Sequence, residues 1–188
     1  MQSKLIDYIR AGFAGLYLVT PEEVRAEAEL RAVAKELKYT LYCWSVTQGL
    51  VQPDNDSVQP ITDPVEAINA LTDLPEKTLL VLTDFHQFLG DRSQPASPLL
   101  TRALKDAIRR ARASAKVIAV MGCTLNLPPE LEKEFTVIEC PLPETPVLAL
   151  IAGRIAEAAK LTLTEPASTQ AAEAARAAAQ QTRDLINA

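Results

Sequence analysis

Five short apolar segments, separated by helical patterns, limit the fold of this chain more than any other feature. Their lengths and their content of Val, Ile, Leu and aromatic residues are typical of buried strands. The predicted strands are Gly15–Thr20, Tyr39–Val46, Thr78–Thr83, Lys116–Met121 and Thr136–Cys140. Because strands and helices alternate along the chain, the pattern predicts an α/β three-layer domain, with a five-stranded parallel sheet covered by helices on both faces.

The segments between these strands contain helix patterns and one long loop. Leu30, Val33, Ala34 and Leu37 have the i, i+3, i+4, i+7 spacing of a buried helical stripe. Residues 47–62 are rich in turn formers and are predicted to be a loop. The predicted helices are Ser3–Arg10, Pro21–Leu37, Asp63–Leu74, Ser97–Ala113, Pro128–Glu134 and Glu144–Lys160.

The composition changes after Pro141–Pro143, where the chain becomes rich in Ala. We therefore expect two parts: an α/β domain over residues 1–143 and a helical extension over residues 144–188. The extension resembles part of a lid subdomain and has too few large apolar residues to fold alone.

Charge and cysteine content exclude several classes of protein. The net charge of −5 over 188 residues argues against a nucleic-acid binder, which needs a surplus of Lys and Arg. No apolar run approaches the roughly 20 residues of a membrane span. The three cysteines are far apart in the chain, as in a reduced cytosolic protein. We expect a cytoplasmic protein that binds neither nucleic acid nor membrane.

The first predicted strand is not followed by a phosphate-binding loop. In a P-loop ATPase, a glycine-rich loop ending in Lys-Ser or Lys-Thr would follow Gly15–Thr20 and cradle phosphates with its backbone N–H groups. Here Pro21, Glu22 and Glu23 open a helix instead. Two carboxylates at a helix N-terminus favour the helix and repel a triphosphate. The strand pattern still predicts the P-loop sheet order 5-1-4-3-2.

Asp84 follows the third predicted strand, as the Walker B aspartate of an ATPase does. The second acid of that motif, which polarises the attacking water, is replaced by Phe85. Asp84 is therefore a candidate for a degenerate nucleotide site, and a capping role at the strand end is the alternative. His86 is the single histidine and is expected to be a partly exposed turn residue. A contact with Asp84, or a single metal ion held by the two residues, is the alternative.

Two other functions use the same strand ends. Glu22, Glu23 and Asp84 could converge into a Mg²⁺ site, as in a receiver-like phosphoacceptor module or a Mg²⁺-dependent nuclease. Thr124 lies near the place of a receiver's Ser or Thr, but no Lys follows the fifth strand.

The helix after the third strand is locally basic. It carries Arg102, Lys105, Arg109, Arg110 and Arg112. These residues form either a solvated face or a contact surface for an acidic partner or a neighbouring subunit.

Four segments resemble the N-terminal region of a cyanobacterial and plastid AAA+ ATPase family, known as a hypothetical chloroplast reading frame. The resemblance covers about Ser3–Arg154. The segments are Ile9–Phe13 with Leu16–Glu23, then Leu41–Leu50, Leu82–Leu89 and Leu127–Lys133.

The resemblance implies a degenerate AAA-like module that precedes an intact ATPase module carrying the Walker motifs. Asp84 alone matches a Walker position, and GxxxxGK[ST] is absent from the 188 residues. We therefore expect a regulatory or scaffolding module that is not an enzyme and needs no cofactor. Its partners would be an AAA+ ATPase module or ring neighbour and an unknown client protein, in the cytoplasm or plastid stroma.

Overall fold

The computed structural model of this chain describes residues 1–91 and 94–140, with Thr145, Leu148, Ala149, Ala152, Gly153 and Ile155 beyond them. Met1–Cys140 form one compact unit and Pro141–Ala188 form a second. The predicted extension over residues 144–188 lies almost entirely outside the described residues. The sheet and the helices that cover it belong to the first unit.

Within the described residues, four helices and seven strands make up this unit. The helices are Gln2–Arg10 (α1), Glu23–Leu37 (α2), Pro64–Ala70 (α3) and Pro98–Ala113 (α4). The strands are Gly15–Val19 (β1), Thr40–Ser45 (β2), Gly49–Gln52 (β3), Ser57–Gln59 (β4), Thr78–Thr83 (β5), Val117–Gly122 (β6) and Thr136–Glu139 (β7). A 3-10 helix, Phe85–Phe88, follows β5 directly.

All seven strands lie in one sheet, in the order β4-β3-β2-β5-β6-β1-β7. From β2 to β7 the neighbouring strands are parallel. These five strands stand in the predicted order. The prediction of a five-stranded, purely parallel sheet is nevertheless wrong, because β3 and β4 add an antiparallel hairpin beside β2.

The hairpin occupies residues that were predicted to be a loop. Its turn contains Pro53, Asp54, Asn55 and Asp56, which accounts for the loop-like composition. Besides its pairing with β2, the hairpin is held by Leu50, which belongs to a hydrophobic core. Just after β4, the carbonyl of Ile61 accepts a hydrogen bond from the Nε1 of the buried Trp44 at 2.7 Å. Gly49 has a positive φ of 74°, which a turn between β2 and β3 requires.

The predicted helix at Pro128–Glu134 is also wrong. This segment forms successive turns, in which Leu131 N–H donates to Pro128 and Glu134 N–H donates to Leu131. Two adjacent prolines, Pro128 and Pro129, each lack the N–H that a helical ladder needs.

Helices cover both faces of the sheet, which confirms the three-layer architecture. Leu5 of α1 and Leu30 of α2 belong to the core that contains Leu16 of β1. Leu104 of α4 and Tyr17 of β1 belong to the core on the other face. Successive residues of a strand point to opposite faces, so β1 supplies side chains to both cores. The parallel strands end at one common edge, where the candidate site lies.

Candidate functional site

The junction between β1 and α2 is a short, closed turn. The Thr20 N–H donates to the carbonyl of Gly122 at 2.8 Å, and the Thr20 Oγ1 accepts a hydrogen bond from the Glu22 N–H at 3.0 Å. Glu22 is the N-cap of α2, and Glu23 begins the helix. These bonds fix the chain against the sheet where a phosphate-binding loop would arch away from it.

A cavity of about 60 Å³ lies beside this turn. Its lining includes Thr20, Glu23, Asp84, Gly122 and Cys123. Burial, the Asp84 carboxylate and Glu27 together raise the pKa of Glu23. The cavity is therefore small and carries negative charge.

Asp84 stands at the carboxyl end of β5, as predicted. Its backbone is left-handed, with φ 54°, a conformation that Asp tolerates better than most residues. Its side chain is 59% exposed and does not cap the 3-10 helix that follows. A purely capping role for Asp84 would need a hydrogen bond between its side chain and this helix. The described residues show no such bond.

The three carboxylates predicted as an alternative Mg²⁺ site do not converge. Glu23 and Asp84 share the small cavity, but Glu22 turns to Arg25, whose Nη2 lies 2.6 Å from its Oε2. Residues 1–91 and 94–140 contain no group of three or more His, Cys, Asp or Glu side chains placed to hold a metal ion. The carboxylates stay apart because Glu22 forms an ion pair with Arg25, three residues further along the chain.

His86 is buried, so its prediction as a partly exposed turn residue is wrong. Its residue surface is 7% exposed because the 3-10 helix turns it against β6. The ring packs on the backbone of Gly122, where an added Cβ would overlap Nδ1. Its Nε2 lies 3.5 Å from the Sγ of Cys123, and its Nδ1 lies 3.9 Å from the Asp84 Oδ1. The structure thus brings together a carboxylate, an imidazole and a thiol.

A buried tyrosine orders the loop after β6, which the sequence did not indicate. The Tyr17 hydroxyl donates to the carbonyl of Thr124 at 2.8 Å and accepts from the Asn126 N–H at 3.1 Å. Burial raises the pKa of Tyr17, and the bond from Asn126 partly opposes that rise. The only signal in the sequence is a hydroxyl-bearing aromatic residue in a buried strand.

The basic residues of α4 are largely engaged within the domain. Arg102 pairs with Asp106, and both Arg109 and Arg112 pair with Glu134. Lys105 donates through Nζ to the carbonyl of Glu130 at 3.1 Å. Arg110 is exposed and has no ion pair in the described part of the chain. The free positive charge of this helix is therefore smaller than its sequence indicates.

A cleft of about 720 Å³ lies next to α4. Leu89, Leu125 and Leu127 supply apolar surface, while Arg102 and Lys105 stand on its helical side. No pattern in the sequence indicated this cleft, because its walls come from α4 and from loops far apart in the chain. Separately, none of the described helices is long and apolar enough to cross a membrane.

Residues 1–140 match the family model of the SpoVK-like AAA ATPase, N-terminal domain. This range coincides with the compact unit described above.

Relatives among curated proteins are named AAA domain-containing protein ycf46. The protein of Gracilaria tenuistipitata var. liui is 29% identical over 131 residues, which is 68% of this chain and 26% of that protein. The protein of Guillardia theta is 27% identical over 160 residues, which is 84% of this chain and 30% of that protein. The chain thus spans less than a third of the length of these relatives.

Solved structures with the same fold include a branch migration motor and a chain of a three-component complex. The RuvB Holliday junction branch migration motor of Thermotoga maritima superposes with a TM-score of 0.58 at 17% identity, covering 91% of this chain and 54% of RuvB. A chain of the HORMA:CdnC:Trip13 complex from E. coli MS115-1 gives a TM-score of 0.54 at 13% identity, covering 86% of this chain and 59% of that one. At these identities the likeness concerns the P-loop NTPase-like fold alone.

Proposed function

This chain belongs to the family of SpoVK-like AAA ATPase N-terminal domains, and from that premise we propose that it is a regulatory or scaffolding module without ATPase activity. Its role would be to contact an ATPase module, and through it a client protein, rather than to turn over nucleotide.

The observation that carries this proposal is the β1–α2 turn. Thr20 and Glu22 close the turn through a side-chain hydrogen bond, and the neighbouring cavity measures about 60 Å³. Two carboxylates, Glu23 and Asp84, line that cavity. A triphosphate would meet negative charge where an ATPase presents backbone N–H groups and a lysine.

Phosphoryl transfer also needs charges that are already in place around the γ-phosphate. Asp84 could contribute one acid, but the next residue, Phe85, is completely buried in the core. A water-polarising carboxylate therefore has no counterpart at that position. This supports a module without catalysis.

The ATPase partner is inferred from the length of the relatives. Proteins named for an AAA domain continue far beyond the matched region, since this chain covers 26–30% of them. An intact module in the same polypeptide, or a neighbour in a ring, would supply the Walker motifs. A location in the cytoplasm or plastid stroma accords with this proposal.

Calorimetric titration of the purified chain with Mg·ATP tests the absence of a nucleotide site. We expect no binding heat for the wild type or for Asp84→Asn. Micromolar binding that is lost in Asp84→Asn would show that the strand ends hold nucleotide without a phosphate loop. That result would overturn the proposal.

The contact with an ATPase module can be tested in trans. The chain is added to the separately purified AAA module of a ycf46 relative, and the ATPase rate and the size-exclusion profile are measured. Arg110→Glu reverses the unpaired charge of α4 and should weaken complex formation. The control is Lys35→Glu, which lies on the exposed side of α2 at the opposite face of the sheet. This variant should leave complex formation unchanged. No complex with the wild-type chain would count against the proposal.

A further inference from the structure

The three free cysteines of this chain occupy different environments. Cys123 is exposed, Cys43 is partly buried and Cys140 is buried. Burial raises the pKa of Cys43 to about 12 and that of Cys140 to about 11. Both of these thiols stay protonated near neutral pH and react slowly, because the thiolate is the nucleophile.

Cys123 differs because an imidazole lies against it. The Nε2 of His86 is 3.5 Å from the Sγ, within the distance of a sulfur hydrogen bond. His86 is 7% exposed, so packing in the core fixes its ring relative to the thiol. The missing Cβ of Gly122 leaves the space in which the ring fits.

On the side away from Cys123, the imidazole lies near a carboxylate that would stabilise a positive charge on the ring. Among the described residues its buried Nδ1 has no hydrogen-bond partner, and the Asp84 Oδ1 lies 3.9 Å away. That distance exceeds a hydrogen bond but allows Coulomb attraction to a protonated ring. A proton that moves from Sγ to the imidazole would create a positive charge between a thiolate and a carboxylate.

We propose that Cys123 is a thiol-modification site that exchanges with small disulfides, with His86 as the base that accepts its proton. In this step the Cys123 thiolate attacks one sulfur of the small disulfide. A new S–S bond forms, the old S–S bond breaks, and its second sulfur leaves as a thiolate. That leaving group takes the proton that His86 had accepted from Cys123. The small disulfide is itself the oxidant, so the exchange needs no other.

The charges around the site indicate which disulfides react fastest. Glu23 and Asp84 line the same cavity as Cys123, and both are acidic. Anionic disulfides should therefore be repelled and cationic ones attracted. Cystamine, which carries two ammonium groups, is the matching probe, and glutathione disulfide is the anionic comparison.

The experiment follows the mass of the intact chain in cystamine, with peptide mapping of the modified residue. We expect Cys123 to be modified first, and at least tenfold faster than in His86→Gln. A double variant, Cys43→Ser with Cys140→Ser, should keep the wild-type rate. Equal rates in wild type and His86→Gln, or first modification at Cys43 or Cys140, would overturn the proposal.

A pH profile separates a proton-accepting His86 from one that merely supports the loop. Among the described residues, the titratable groups near this pair are Asp84, Glu23 and Tyr17. An isolated thiol slows about tenfold per pH unit below its pKa near 8.5. The wild-type rate should fall much less between pH 8 and pH 6. A tenfold fall per unit would show an ordinary thiol, even if His86→Gln proved too unstable to study.

Discussion

Two adjacent glutamates at the start of α2 have opposite electrostatic effects. Glu22 lies 2.6 Å from the guanidinium of Arg25, which offsets its charge. Glu23 instead faces the small cavity, where burial and the Asp84 carboxylate raise its pKa. Because the pKa of Glu23 is higher in the folded state, its contribution to stability is present at low pH. It is lost as the pH rises through the folded pKa.

Glu23→Gln should therefore stabilise the domain at pH 7, by less than about 1 kcal/mol because the side chain is mostly solvated. The gain should vanish below about pH 3, where glutamate is almost fully protonated in both states. Urea unfolding at pH 7 and at pH 3 measures this difference.

Glu22→Gln is the matched control, because it removes the ion pair with Arg25. It should leave the free energy of unfolding at pH 7 unchanged or lower it. Stabilisation by both variants would mean that removing either negative charge stabilises the domain. The position of Glu23 beside the cavity would then not be the cause.

At the scale of elements, a buried lysine joins the end of α3 to the start of β6. Lys116 is 7% exposed, and its Nζ donates to the carbonyls of Leu71 at 2.8 Å and Thr72 at 3.0 Å. The last carbonyls of a helix have no partners within it and carry partial negative charge. Lys116 satisfies them and neutralises that charge.

Lys116→Met keeps the apolar stem but removes both hydrogen bonds. We expect the free energy of unfolding to fall by about 1–3 kcal/mol, since buried carbonyls would lose their partner. Lys35→Met, on the exposed side of α2, is the control and should change stability by less than ~0.5 kcal/mol. Guanidinium unfolding of the three proteins gives the comparison. An equal loss in both variants would contradict the capping role.

At the scale of the molecule, both hydrophobic cores lie within Met1–Cys140. One core lies under α1 and α2, the other under α3 and α4, and β1 contributes to each. Each core depends on the same sheet, so loss of one face would expose the other. The domain should therefore unfold as one cooperative unit.

A fragment of residues 1–143 should fold without the rest of the chain. We expect one cooperative denaturant transition, at the same midpoint whether followed by circular dichroism or by the fluorescence of the buried Trp44. Two separated transitions would show that residues 1–143 are not one cooperative unit. A fragment that gives no sigmoidal transition would show that its folding depends on residues 144–188.

The sequence by itself determined the parallel part of the fold. Strand β5, Thr78–Thr83, was predicted with its observed bounds, because a continuous apolar run can only be buried on both faces. The absence of a phosphate-binding loop after β1 is also evident from the sequence, because Pro21, Glu22 and Glu23 follow this strand. These features depend on residues that are neighbours in the chain, and a sequence shows such neighbours directly.

The tertiary structure alone decided the β3–β4 hairpin and the composition of the site. Turn-forming residues look the same in a loop and in a hairpin, and only the packing of Leu50 and Trp44 distinguishes them. His86 and Cys123 are 37 residues apart in the chain, so no spacing rule pairs them. They meet because parallel pairing of β5 with β6 ends both strands at one edge of the sheet. Contacts between distant segments arise from register and packing, which local sequence patterns do not encode.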